Sequence, residues 1–175
     1  MRTSFTVDDM TIHRLVEQEA GFTPILEFLP SLSPELLREN RAWLEPAALD
    51  PMSDSVLPII DANKAELVTS DYALNDHIRL LPTPGHTPDH FAVCAGRGGD
   101  AAVFTGDLIH SPIQARYPDL VMRVDYDPEQ ASATRRGFLE RYCDTPTLCC
   151  TMHFPSPSVG HIKRWGDGFK LDYLS

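Results

Sequence analysis

The chain has 175 residues, 42% of them hydrophobic, which is the size of one domain with enough apolar material for a single buried core. Two large domains are thereby excluded, and residues 1–175 are read as one unit. The formal charge is −10 and the fifteen Lys and Arg are scattered rather than gathered in a stripe, which argues against DNA or RNA as a partner.

No stretch approaches the roughly 20 consecutive apolar residues of a membrane span, and the opening nine residues are polar rather than a secretory leader. The expectation is a cytoplasmic protein with no membrane partner. In that compartment Cys94, Cys143, Cys149 and Cys150 are reduced thiols, and none shows a CxxC spacing for zinc. Cys149 and Cys150 stand inside an apolar run and read as small core side chains.

In chain order, residues 10–17 are apolar and β-branched enough for a strand. Ser33-Pro34-Glu35 is a helix start, with a capping hydroxyl, a proline at the first helical position and an acid near the positive helix end. Leu36, Leu37, Asn40, Trp43 and Leu44 follow at helical spacing, and the helix should stop before Pro46. A polar joint at 49–55, a short helix at 56–64 and a strand at 66–69 are expected next.

Ile78–Pro82 reads as a strand running into Thr83-Pro84-Gly85-His86-Thr87-Pro88, whose prolines and glycine exclude regular structure. Residues 91–95 and 101–105 are two apolar strands around a hairpin turn, Gly96-Arg97-Gly98-Gly99-Asp100. Such a hairpin brings the His86 loop and Asp107 to the same end of the ladder. Asp127-Pro128-Glu129-Gln130 starts a further helix, with Ala131, Phe138, Leu139 and Tyr142 on one face and an end near Asp144. A turn at Thr145-Pro146 leads into an apolar strand at 147–152, with His153 just beyond it. The alternation of strands and helices implies an α/β sandwich.

Three times an apolar strand ends and a ligand-type side chain follows: His86, Asp107 and His153. Rigid sheets hold functional groups beyond strand ends, and two imidazoles with a carboxylate suit zinc while leaving a position for water. Spacing alone still favours the simpler reading of turn formers or satisfied polar groups.

The wording of the motifs is more specific. Thr83-Pro84-Gly85-His86-Thr87-Pro88-Asp89-His90, followed by Phe104-Thr105-Gly106-Asp107-Leu108, resembles the TPGHTxxH and GD motifs of the metallo-β-lactamase superfamily. The resemblance continues through His153-Phe154-Pro155 to Gly160-His161-Ile162, covers about residues 65–165, and is with the lactonase and organophosphate-hydrolase-like branch. It implies an α/β fold, an incomplete αββα sandwich made mainly of its C-terminal half: 1–50 would be an N-terminal strand and helix, and 55–175 the second half.

By the same resemblance His86 would bind a first metal, Asp107 would be the catalytic bridging carboxylate, and His153 would bind a second metal. Zinc, as one or two ions, is implied, with iron, manganese or cobalt also compatible. A metal-bound hydroxide would attack an ester, lactone or related bond of a small-molecule substrate. His90, His110 and His161 are candidates for orienting the ligands or meeting substrate, against the simpler reading of polar loop histidines. Tyr117 and Tyr126 lie where such hydrolases cover substrate, but packing of a long loop is the favoured reading of both. Ser156 and Ser158 lack a GxSxG elbow.

The first motif of these enzymes, HxHxDH, is absent: the seven histidines are His13, His77, His86, His90, His110, His153 and His161, and no two lie two residues apart. By the same resemblance an internal piece would be missing near residues 50–54, through natural deletion, a misjoined gene or engineering. Its loss would expose a sheet edge and an apolar face, through which copies of the chain would associate. Beside the hydrolase stands an alternative, a catalytically inactive remnant that binds metal weakly or serves only as an interaction surface. A single-metal site with slow hydrolysis is intermediate between them.

Overall fold

In the computed structural model, residues 4–13, 25–44, 68 and 72–174 are described. The joint, helix and strand expected within 49–69 lie outside the described residues apart from residue 68, as do residues 14–17 of the first expected strand.

Strands β1 (Ser4–Val7) and β2 (Met10–His13) form an antiparallel hairpin. A short helix α1 (Ile25–Phe28) precedes α2 (Pro34–Leu44), whose first turn is capped as the sequence implies: the Ser33 hydroxyl accepts from the Leu36 N–H at 3.0 Å. The remainder is β3 (Ile78–Pro82), β4 (Phe91–Ala95), β5 (Ala102–Phe104), a 3₁₀ turn at Gly106–Leu108, α3 (Pro112–Arg116), α4 (Pro128–Tyr142), β6 (Leu148–Cys150), β7 (Val159–Trp165) and β8 (Gly168–Tyr173).

The six strands β3 to β8 form one sheet in sequence order. All neighbours are antiparallel except β5 and β6, which run parallel. That parallel pair needs a crossover, and α3 and α4 supply it. The result is a mixed α/β architecture with the predicted β4–β5 hairpin near its middle.

Period-2 alternation gives the sheet two apolar faces. Cys94, Val103, Cys149, Ile162, Phe169 and Leu171 point to one side, where they form a buried cluster with Phe138, Leu139 and Tyr142 of α4. Ala95, Ala102, Cys150 and Val159 belong to a second cluster, closed by Val7, Phe5, Met10 and Ile12 of the β1–β2 hairpin. Cys149 and Cys150 thus face opposite sides of the sheet and both are buried, in line with their expected core role. A third cluster joins Leu29, Leu32, Leu36 and Leu37 to Ile113, Leu120, Met122 and Tyr117, so the N-terminal helical segment packs on the stretch around α3.

One feature differs from expectation. Residues 160–162 are not loop: they sit inside β7, which turns through Gly166 (φ 56°) and Asp167 into β8. The outer edge of β3 is partly covered by the chain itself, with Leu80 N–H donating to Tyr72 C=O at 2.8 Å and Leu74 N–H to Ile78 C=O at 2.8 Å. Among the described residues no helix is long and apolar enough to cross a membrane.

Candidate metal centre

The C-terminal ends of β3, β5 and β6 and the start of β4 converge at one end of the sheet. The backbone registers them: Thr105 N–H donates to Cys150 C=O at 3.0 Å, extending the β5–β6 ladder towards Asp107 and His153, and Thr83 N–H donates to His90 C=O at 2.8 Å across the β3–β4 end. Four histidine rings gather there around the Asp107 carboxylate.

His90 fixes Asp107 through the backbone. Its Nε2 accepts the Asp107 N–H at 2.9 Å, so the ring proton resides on Nδ1, which lies 2.8 Å from Thr83 Oγ1. Burial lowers the His90 pKa, with the nearby His86 ring adding to the effect against the pull of Asp107, and the neutral ring suits an acceptor Nε2. Gly106 is needed at this contact: it has φ +53°, and a Cβ there would lie 2.9 Å from His90 Nε2.

His86 is held from behind. Its Nδ1 lies 3.0 Å from Asp125 Oδ1, and Asp125 is buried with Oδ2 accepting the Met122 N–H at 2.8 Å. With Nδ1 donating to a carboxylate, Nε2 keeps its lone pair and faces Asp107 Oδ2 at 3.6 Å, too far for a hydrogen bond. Two acceptor atoms turned towards each other across this gap suit a cation between them. The His86 loop is also tied to α4, because Asp127 N–H donates to Gly85 C=O at 2.9 Å and Tyr126 N–H to His86 C=O at 3.1 Å.

His153 Nε2 lies 2.7 Å from Asp107 Oδ1 and donates to it. This bond, against the opposing effect of burial, holds the Asp107 carboxyl well below the usual carboxylate range, with His110, His153 and His86 adding to the field. His110 stacks on His153 with centroids 4.2 Å apart, and its Nε2 is 3.8 Å from Asp107 Oδ1. Burial and the neighbouring rings push the His110 pKa well down, so its imidazole is neutral near pH 7. Its backbone is set by Gln114, whose Oε1 accepts the His110 N–H at 2.8 Å.

Ligand atoms of His86, Asp107 and His110 all lie within 4.8 Å of one another, a donor set suited to zinc or a similar divalent ion. Of the sequence candidates, His86, His90, Asp107, His110 and His153 therefore meet in space. His161 does not join them: in β7 it lies opposite the start of β6, with Nδ1 3.1 Å from Thr147 C=O, whereas His153 follows the other end of β6. Tyr117 packs beside α3, and Tyr126 is exposed.

Sequence reasoning missed Asp125, Gln114 and Arg135. Arg135 is completely buried and donates to the carbonyls of Leu108, Pro118 and Leu120 at 3.0, 2.7 and 2.8 Å. Its Nη2 is 3.8 Å from Asp125 Oδ2, so the segment that carries the His86 partner is anchored to α4. An Arg on the apolar stripe of α4, one turn from Ala131 and Phe138, was the available signal.

The family model described as the metallo-beta-lactamase superfamily matches residues 29–153. No curated protein matches the chain. Among solved structures, AidC, a dizinc quorum-quenching lactonase, is similar at 27% identity and TM-score 0.61, over 86% of this chain and 48% of its own. A hydrolase of the beta lactamase superfamily, AbOPH, shares the fold at 21% identity and TM-score 0.61, over 82% of this chain and 51% of its own. The chain thus spans about half the length of these two proteins. With its motifs gathered at one sheet end and the family match running from 29 to 153, the chain belongs to the metallo-β-lactamase superfamily.

Proposed function

We propose that the chain is a metal-dependent hydrolase that opens an ester, lactone or related bond of a small organic substrate in the cytoplasm. The observation that carries this reading is the His86 Nε2 to Asp107 Oδ2 gap of 3.6 Å, two acceptor groups facing each other with His86 locked by Asp125. Zinc is the expected ion, since imidazole and carboxylate donors suit it. A bound ion would supply Lewis acidity and an activated water near neutral pH. Water then adds across the acyl carbon–oxygen bond, giving a carboxylic acid and an alcohol.

The protein's own groups set the stage for that chemistry. Asp107 is half-exposed and stays ionised, so the cluster opens to solvent on the side from which a substrate arrives. Val124, Tyr126 and Met152 are exposed apolar side chains, each next in sequence to a site residue or its partner loop, and they offer walls for the apolar part of a substrate. The lactonase activity of AidC, at 27% identity, supports an ester-type bond.

The test is hydrolysis of a panel of lactones and aryl esters by the purified protein. Activity removed by a chelator and restored by zinc is the expected result, and activity indifferent to the chelator overturns the reading. A second reading rests on the missing HxHxDH motif: a remnant that binds metal weakly or serves as an interaction surface. Zinc binding without turnover of any substrate in the panel would favour it.

A further inference from the structure

We propose that the cavity at the end of the sheet opposite the histidine cluster binds a small organic carboxylate through the guanidinium groups of Arg79 and Arg141. The cavity has a volume of about 420 Å³ and lies between the start of β3, the end of β4 and the β4–β5 turn. Strand β4 runs from Phe91, beside the histidines, to Ala95, beside the cavity, a span of roughly 13 Å at about 3.4 Å per residue. The site is therefore separate from the metal centre and does not rest on the hydrolase reading.

Asp100 organises the cavity wall. Its side chain is 11% exposed, and its carboxylate accepts from Arg79 Nη2, from Arg141 Nη2 at 3.4 Å and from the Tyr142 hydroxyl at 2.7 Å. Two cations thus share one anion. Among the described residues Asp100 is the hydrogen-bonding partner of both guanidiniums, reached each time through Nη2, so that Nε and Nη1 of both have none. The Tyr142 ring lies beneath Arg141, 5.3 Å from its Cζ, and steadies that fork. Two planar donor forks, set by a buried carboxylate on the wall of one cavity, match the paired oxygens of a further carboxylate.

Charge and shape define the ligand. The pair of guanidiniums carries one positive charge in excess of Asp100, which a single carboxylate balances. Asp76 is an exposed acid on the same wall, so a dianion such as phosphate would meet repulsion with no cation left to offset it. His77 is engaged elsewhere, with Nε2 2.9 Å from Arg97 Nη2 and Nδ1 3.6 Å from Asp9 Oδ1. The turn side of the cavity is glycine: a Cβ on Gly98 or Gly99 would meet nothing within 4 Å, so room remains for the organic part of the ligand. Ile78 and the buried Cys94 supply apolar surface for it.

The experiment is an amide and arginine Nε–H NMR titration of the purified full chain with sodium benzoate, against sodium phosphate and sodium chloride at equal ionic strength. Benzoate should shift the amides of residues 96–100 and the Nε–H signals of Arg79 and Arg141 saturably, with a Kd of about 1 mM or tighter. Arg141→Gln removes a half-exposed side chain and should weaken this binding about 10-fold or more, the loss of a hydrogen bond to a charged group. Arg141→Lys keeps the charge without the fork and should bind more weakly than the parent.

Equal shifts with chloride, or no saturation, would overturn the proposal. So would benzoate shifts confined to His86, Asp107 and His110, which would place the carboxylate at the metal centre instead. Phosphate binding tighter than benzoate would overturn the choice of a carboxylate, and an unchanged Kd in a folded Arg141→Gln would remove the guanidinium pair from the site.

Discussion

His86 and Asp125 meet at 3.0 Å although they stand 39 residues apart, and the contact decides which imidazole nitrogen faces Asp107. Asp125 in turn is buried between the Met122 amide and Arg135. Replacing it by Asn keeps the size but removes the charge that fixes the His86 tautomer. Asp125→Asn is expected to weaken zinc binding about 10–100-fold in a chelator competition, the range for loss of a partner behind a metal ligand. Unchanged affinity would mean that His86 is not on the metal.

His90 is a positioning residue with a separable signature. His90→Ala leaves the Asp107 N–H without its acceptor, at an expected cost of about 1–3 kcal/mol in urea unfolding. A substitution to Asn or Gln retains an acceptor oxygen and should recover part of that stability. If His90→Ala and His90→Gln unfold at the same urea concentration, the Nε2 contact contributes nothing.

Gly85 carries both the backbone and the packing of the His86 loop. It adopts φ +134°, and a Cβ there would sit 2.3 Å from the Ala131 backbone nitrogen in α4. Gly85→Ala must therefore strain the backbone and push the loop off the helix start, costing about 2 kcal/mol or more. Urea midpoints measure the loss, and zinc affinity should fall with it because His86 is the next residue. A variant as stable as the parent would show that the loop is free to move away from α4.

The convergence of His86 and Asp107 was legible in the sequence because it needs only local rules. A Gly-rich turn between two apolar runs forces the β4–β5 hairpin, and pairing Val93 with Phe104 returns Gly106 beside His90. The α4 cap was equally plain, with Asp127 Oδ1 accepting the Gln130 N–H at 3.0 Å. Asp125 and Arg135 were not legible: an Asp two residues before a helix cap and an Arg within a helix look solvated until tertiary packing buries them. The β7–β8 hairpin is not among the sequence expectations, which place His161 in a loop, although Gly166-Asp167 is a two-residue turn signal between paired strands. His110 was weighed as an outer residue because nothing in a spacing of three tells whether a 3₁₀ turn will aim its ring back at Asp107.

Asp100 links the hairpin turn to the end of α4 and should govern acid stability. Burial alone would raise its pKa, but the Tyr142 hydroxyl at 2.7 Å and the Arg79 guanidinium outweigh it, and the folded-state pKa is lowered. A carboxylate with a depressed folded pKa contributes stability above its unfolded value of about 3.9, and this is lost as pH falls through the lower folded value. Asp100→Asn should cost about 1.5–3 kcal/mol at pH 7, the range for hydrogen bonds to charged groups, and less below pH 3. Urea unfolding at both pH values measures this, and an equal cost at the two would rule out the charged form as the source.

Arg135 offers the sharpest stability test, because its guanidinium is fully buried yet engages three carbonyls and the Asp125 carboxylate. Burial lowers its pKa to about 10, opposed by Asp125 and Asp119, so it remains charged at neutral pH. Arg135→Met preserves much of the length and apolar stem but strands Asp125 as an unpaired buried charge and leaves carbonyls without donors. Removing one partner of such a pair is expected to cost about 3–5 kcal/mol, a large share of the roughly 5–15 kcal/mol that holds a domain folded. In an Asp125→Asn background the stranded charge is gone, and the cost of Arg135→Met should shrink by more than about 1 kcal/mol in a double-mutant cycle. Strict additivity would assign the whole effect to the lost carbonyl contacts, and Asp125 would then owe its position to the Met122 amide and His86 alone.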